Sequence, residues 1–170
     1  MKPETNKSWY VFYTKSRHEK KVRDLLMKRG YEAFLPMQKV MRQWSDRKKK
    51  VEVPLFNSYI FVNTQEHRIP EVLQIPGISW NIRHNNKPAT LHPKEYELIQ
   101  RFLATGLTIE VIAADEIGKG DKVMVMDGPL KGAVGSVASS HPNRFMVSLD
   151  MLDNVMRVQL DPTLLKKTGN

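Results

Sequence analysis

Residues 9–13 (WYVFY) and 55–62 (LFNSYIFV) are short runs dense in aromatic and β-branched side chains, and they constrain the fold more than any other feature of the chain. Runs of this length and composition read as buried strands. The second is the stronger, because Asn57-Ser58 interrupts the apolar pattern rather than extending it into a helix. What lies around the two runs must pack on the sheet they begin. A helix is predicted after the first: Ser16 and Glu19 have capping-box spacing, Val22, Leu25 and Leu26 form an apolar stripe, and Gly30 stands where a C-cap belongs. Its outward face carries Arg17, Lys20, Lys21, Arg23 and Lys28. Residues 31–35 read as a strand ended by Pro36, and residues 39–53 as a polar hairpin turning at Ser45-Asp46.

A short helix is expected over 65–74, with Pro70 inside it. Pro76-Gly77 turns the chain into a strand over 78–83. Residues 93–103 then make an amphipathic helix, with Pro93 in its first turn, Tyr96, Ile99 and Leu103 on one stripe, and Gly106 beyond it. The order β-α-β-β-β-α-β-α specifies an α+β fold, an antiparallel sheet with packed helices of the split βαβ kind.

Beyond Gly106 the texture changes. Val123 and Val125, Val134 and Val137, Phe145 and Val147, and Met156, Val158 and Leu160 suggest period-2 strands, separated by turns at Asp127-Gly128-Pro129, His141-Pro142-Asn143 and Asp153-Asn154. This is the pattern of a small barrel. The expected domains are therefore 8–106 and 119–168, joined by a linker over 107–118 whose most exposed part is Ala113-Ala114-Asp115-Glu116.

Charge separates the same two regions. Residues 1–110 hold 20 Lys+Arg against 11 Asp+Glu, whereas residues 111–170 hold 7 against 7. Within residues 15–50 there are 13 basic and 4 acidic side chains, so this stretch alone accounts for the net charge of +9. Such concentration points to a polyanion or to a solvated basic face. With no cysteine there is no disulfide framework and no thiolate chemistry, as expected of a reducing compartment. No apolar run approaches the roughly 18 residues of a membrane span, and MKPETNKSWY lacks a secretory apolar stretch. A cytoplasmic location without membrane contact is expected.

Two segments carry a family signature. WYVFYTKSRHEKKV, with PLFNSYIFV downstream, resembles the N-terminal (NGN) domain of NusG-type transcription elongation factors, and GDKVMVMDGPLKGAVGSV resembles a KOW motif. Together they frame nearly the whole chain. The segment RQWSDRKKKVEVPLF is similar to specialised paralogues that antiterminate particular long operons, such as polysaccharide clusters. The resemblance implies an NGN sheet with packed helices followed by a small all-β, SH3-like KOW barrel, no enzymatic activity, no cofactor, no metal and a monomer.

In such factors the first domain sits on the clamp helices of the largest RNA polymerase subunit, which implies an apolar docking patch. Tyr13, Phe56, Tyr59 and Phe61 match the aromatic positions of the family motif. Strand alternation also turns some of these rings inward, and a ring used as core costs about 3 to 5 kcal/mol when cut to alanine. Asn57-Ser58 departs from the Pro-Gly or Pro-Asn turn that usually precedes the tyrosine. Lys15, Arg17, Lys20 and Lys21 match a basic edge that faces non-template or upstream DNA in specialised paralogues, and Arg42, Trp44, Arg47, Lys48 and Lys49 extend it on the hairpin. Trp44, flanked by Gln43 and Ser45, lacks the apolar neighbours of a structural tryptophan and suits base stacking. Gly128, Gly132 and Gly135 punctuate the KOW segment, where glycine serves a positive φ or a close backbone approach. The near-neutral KOW domain implies a protein partner, for which the family offers a ribosomal protein or a termination factor.

Enzymes are the first rival class. Gly118-Lys119-Gly120-Asp121 lacks phosphate-loop spacing, there is no Gly-x-Ser-x-Gly elbow or His-Glu-x-x-His, and the histidines at 18, 67, 84, 92 and 141 are dispersed. The second rival is an RNA-binding or ribosome-associated KOW protein. Against it, residues 55–58 lack the glycine that the RNP1 pattern requires.

Overall fold

The computed structural model describes residues 6–113, 120–138, 140–149 and 154–168. It divides into two compact units, Met1–Pro36 with Pro54–Pro93, and Met37–Val53 with Lys94–Asn170.

In the first unit, strand β1 (Ser8–Thr14) is followed by helix α1 (Glu19–Lys28) and the short strand β2 (Glu32–Phe34). The hairpin strands β3 (Met37–Gln43) and β4 (Lys48–Pro54) come next, then β5 (Tyr59–Thr64), which returns to the sheet. A 3-10 turn (Glu66–Arg68) runs into α2 (Ile69–Val72), with Pro70 in its first turn, where the missing N–H leaves no helix bond unmade. Strand β6 (Ile78–Asn81), the two-residue strands β7 (Arg83–His84) and β8 (Lys87–Pro88), and β9 (Thr90–Leu91) complete it. The sheet order is β2-β5-β1-β6, antiparallel, with β9 beside the start of β1. Its register pairs Val11 with Phe61 and Tyr13 with Tyr59. Val11, Phe12, Ile60, Phe61 and Val62 are fully buried, as are Val22 and Leu26 of α1 and Val72 of α2.

Pro36 and Pro54 stand at the base of the hairpin, where the Leu55 amide donates to the Pro36 carbonyl (2.8 Å). Neither proline can donate to a ladder, so the sheet does not continue into the arm. Among the described residues, β3 and β4 pair only with each other.

The second unit holds this arm, helix α3 (Pro93–Ala104) and a sheet of order β10-β14-β13-β12-β11-β15. The strands are β10 (Glu110–Ala113), β11 (Asp121–Val125), β12 (Val134–Ala138), β13 (His141–Leu149), β14 (Asn154–Gln159) and β15 (Leu165–Lys167). Its core is Val123, Val125, Leu130, Val137, Phe145, Leu149, Val155, Met156 and Val158. Phe102 of α3 stacks on Phe145 at 6.2 Å, and the Arg101 guanidinium donates to the carbonyls of Pro129 (3.0 Å) and Lys131. The Gln38 side chain makes two hydrogen bonds to the backbone of Ile109, both 2.9 Å. These contacts explain why α3 and the hairpin group with the C-terminal strands, a division different from the expected 8–106 and 119–168.

Two expectations need correction. Part of the expected linker is strand: β10 pairs Val111 with Met156 and Ile112 with Val155, and Glu110 forms an ion pair with Arg157. Residues 114–118 of that linker, including Asp115-Glu116, lie outside the described residues, as does Asp153 of the third turn. The expected turn at 141–143 is instead the start of β13, with His141 opposite Ala138. The register shifts between Ser136 and Ala138, and simple alternation also fails here, since Met146 is buried beside Phe145 while Val134 stays half exposed.

Candidate docking and nucleic-acid surfaces

One face of the first sheet is a field of aromatic rings, because β1 and β5 place their odd-numbered residues on the same side. At one end Trp9 meets Phe34 edge-on at 5.9 Å, Phe34 meets Phe61 at 5.8 Å, and Phe56 closes over Phe61 at 6.1 Å. Phe61 is thereby sealed at 0% exposure and Phe56 at 3%. Both were expected to be docking residues, and the burial corrects that. Phe56 sits on the bend before β5 and folds back over the sheet instead of extending outward.

The other end is open. Tyr13 packs edge-on against Tyr59 at 5.7 Å and stacks nearly parallel on Trp80 at 4.5 Å. Tyr13 and Tyr59 are partly exposed, and Trp80, on edge strand β6, is 54% exposed. Burial, and then the neighbouring Tyr13, push the Tyr59 phenol upward, so it stays neutral at physiological pH. Trp80 was missed in the sequence, although a tryptophan between Ser79 and Asn81 carries the same signal that singled out Trp44: no apolar neighbours to make it core.

The turn before Tyr59 is held by Glu19, which the sequence suggests as a helix-capping residue and which makes no cap bond here. Ser58 adopts φ 67, a left-handed conformation that favours glycine or asparagine. Its amide donates to the buried Glu19 carboxylate (3.0 Å), and its carbonyl accepts from the Thr14 amide (2.8 Å). Glu19 thus ties the start of α1 to the turn that presents Tyr59. The departure at Asn57-Ser58 is accommodated by this bond rather than by a glycine.

The basic residues divide between the units. Lys15, Arg17, Lys20 and Lys21 are exposed around the start of α1, where Arg17 has φ 64 and the Lys15 amide donates to Gly77 (2.9 Å). Arg42, Trp44, Arg47, Lys48 and Lys49 are exposed on the hairpin. Among the described residues, none of these eight cations takes part in an ion pair.

The KOW-segment glycines serve two different needs. Gly128 and Gly132 have φ of +84 and +86, whereas a Cβ on Gly135 would collide with the Met146 carbonyl and lie 2.8 Å from the Phe145 ring. Among the described residues, no group of three or more His, Cys, Asp or Glu could hold a metal, and no helix is long and apolar enough to cross a membrane.

Comparison with known proteins fits this geometry. The family model described as transcription termination factor NusG matches residues 7–100. The transcription termination/antitermination protein NusG of Streptococcus pyogenes is 28% identical over 91% of this chain and 94% of its own length. That of Rickettsia felis is 25% identical over 95% and 90%. A solved structure concerned with domain interaction in Thermotoga maritima NusG aligns with a TM-score of 0.56 at 20% identity, covering 96% of this chain and 98% of that one. The fold is therefore the NGN-plus-KOW α+β arrangement, and the chain belongs to the NusG family of transcription termination and antitermination factors.

Proposed function

We propose that this chain is an elongation factor that docks on the clamp helices of RNA polymerase through Tyr13, Tyr59 and Trp80. The observation that carries this reading is the partly exposed cluster of three rings, one pair edge-on and one stacked, at the edge of an otherwise sealed aromatic face. Stacked rings are pre-organised, so they supply contact area at little entropic cost on binding. The experiment is a binding titration of purified polymerase against the wild type and Trp80→Ala. A fall in affinity of roughly thirtyfold is expected, with the unfolding midpoint nearly unchanged. Equal affinities would overturn the reading.

The unpaired cations of the hairpin and of the α1 edge hold non-template or upstream DNA, weakly and through phosphates. If four phosphates on a single strand are neutralised, log affinity falls with log salt at a slope of about −2.8. A slope near zero would remove this part of the proposal. The KOW domain, residues 119–168, takes a protein partner, a ribosomal protein or a termination factor. Support comes from the equal counts of 7 basic and 7 acidic side chains over residues 111–170, and from the exposed apolar Met126 and Val134. The finer assignment, operon-specific antitermination, follows the resemblance of RQWSDRKKKVEVPLF to specialised paralogues. Elongation through terminators with the protein added should show increased read-through on its target template.

A further inference from the structure

The hairpin tip has a feature that phosphate neutralisation alone does not require. Trp44, Asp46, Arg47 and Lys49 line a cleft of about 100 Å³, the scale of one nucleobase rather than of a nucleotide chain. The turn is closed by the Trp44 amide donating to the Arg47 carbonyl (2.7 Å) and by the Gln43 side-chain amide donating to the Trp44 carbonyl (3.0 Å). The backbone of Trp44 is therefore pinned while its ring remains 52% exposed. A held but uncovered indole is a stacking platform.

Three of the four lining residues suit any single strand: the indole stacks, and the two cations take phosphates. Asp46 does not. Its carboxylate repels phosphate, yet among the described residues it enters no ion pair with the surrounding cations. An ionised carboxylate only accepts hydrogen bonds, so a ligand that contacts it does so through N–H or O–H donors. A base offers donors where it carries an exocyclic amine. Cytosine presents its N4 amine, whereas thymine presents an acceptor oxygen and a methyl group at that edge and keeps one N3–H between two acceptor oxygens, which a carboxylate meets less favourably.

We propose that the hairpin tip is a single-nucleobase subsite, in which Trp44 stacks an unpaired base, Arg47 and Lys49 hold the flanking phosphates, and Asp46 selects a base bearing an amino group. The inference rests on the nucleic-acid reading of the hairpin and makes it selective. Stacking on Trp44 needs a base whose ring face is not covered by neighbouring base pairs, so the ligand is single-stranded. DNA and RNA share this chemistry.

The test is fluorescence anisotropy of the full chain with short labelled oligo(dC), oligo(dT), oligo(rC) and oligo(rU), at neutral pH across a salt series. Oligo(dC) should bind about tenfold tighter than oligo(dT), and Asp46→Ala should bring the ratio to about one. The ratio carries the test rather than the absolute affinity, because removing a carboxylate tightens every oligonucleotide through charge alone. Trp44→Ala should weaken both deoxy oligomers by about tenfold through lost stacking. The ribose pair tells whether RNA is read in the same way, with rC preferred over rU if it is. Salt-sensitive binding of all four oligomers without preference overturns the subsite and leaves the basic-surface reading standing. A preference that survives Asp46→Ala overturns the role of Asp46. No salt-sensitive binding to any of the four overturns both readings.

Discussion

Tyr59 and Phe61 stand two residues apart on β5, project from the same face, and meet opposite fates. Phe61 lies between Phe34 and Phe56 and is sealed, whereas Tyr59 lies beside Tyr13 and Trp80 at the open end of the same ring field. Residue type and strand periodicity are alike for the two. The difference is what covers them: a bend folds Phe56 back over one end, and the edge strand β6 leaves the other uncapped. An aromatic strand can therefore serve core and contact at once, and position along it decides which.

The largest expected effect tests the sealed end. Phe61→Ala should lower unfolding free energy by about 3 to 5 kcal/mol in urea denaturation, as removal of a buried ring does. Tyr13→Ala should cost about 2 kcal/mol, roughly the value of the two ring pairs it makes with Tyr59 and Trp80, while reducing polymerase affinity. If both variants lose similar stability, the division of the face into core and contact fails.

In the second unit Gly135 belongs with Phe61, since its worth lies in packing. Gly135→Ala sets a methyl group against the Met146 carbonyl and the Phe145 ring, and should destabilise by about 1 to 3 kcal/mol. An unchanged melting temperature would mean that β12 and β13 separate more easily than their pairing implies.

Ser58→Gly sharpens the comparison at the hinge between the two ends. A left-handed backbone costs a non-glycine residue about 1 to 2 kcal/mol, and glycine's extra unfolded-state entropy offsets about 0.5 to 1 of that. A small net stabilisation with unchanged polymerase binding is expected, because the Ser58 amide still donates to Glu19. Loss of binding would mean that the serine side chain itself belongs to the docking surface.

The smallest effect is a control far from the aromatic face. The Thr163 amide, and then its hydroxyl, hold the Asp161 carboxyl below its ordinary value. A lowered folded-state value stabilises above the unfolded value and is lost as pH falls through the folded one. Asp161→Ala should therefore melt slightly below wild type near neutral pH, and the gap should close well below pH 3.8. A gap that persists in acid would assign the effect to packing instead.

Much of this was legible in the chain. The strand at 9–13, the helix after Ser16, the proline-interrupted short helix and the helix from Pro93 follow from periodicity. They did so because each is specified by neighbours a few residues away. Trp44 was legible as exposed for the same reason, its flanks being polar. The strand expected over 55–62, by contrast, starts only at Tyr59, residues 55–58 being a bend and turn. The capping box expected at Ser16 and Glu19 does not form, since the helix N-cap is His18 with no side-chain cap bond. Phe56 and Phe61 were not distinguishable from Tyr13 and Tyr59, Trp80 went unnoticed, and Glu19 read as a capping residue rather than as the partner of Ser58. β10 read as a linker because its pairing partner lies more than forty positions downstream on β14.

The amino-acid order by itself determined the α+β character, the concentration of charge in residues 15–50 and the family, since these depend on composition and local pattern. Only the tertiary structure decided which rings are sealed, that Trp80 joins Tyr13 and Tyr59, and that Glu19 holds the turn at Ser58. Burial and side-chain partnership are set by elements distant in the chain. Local pattern can say that a ring faces one side of a sheet, but not what lies on that side.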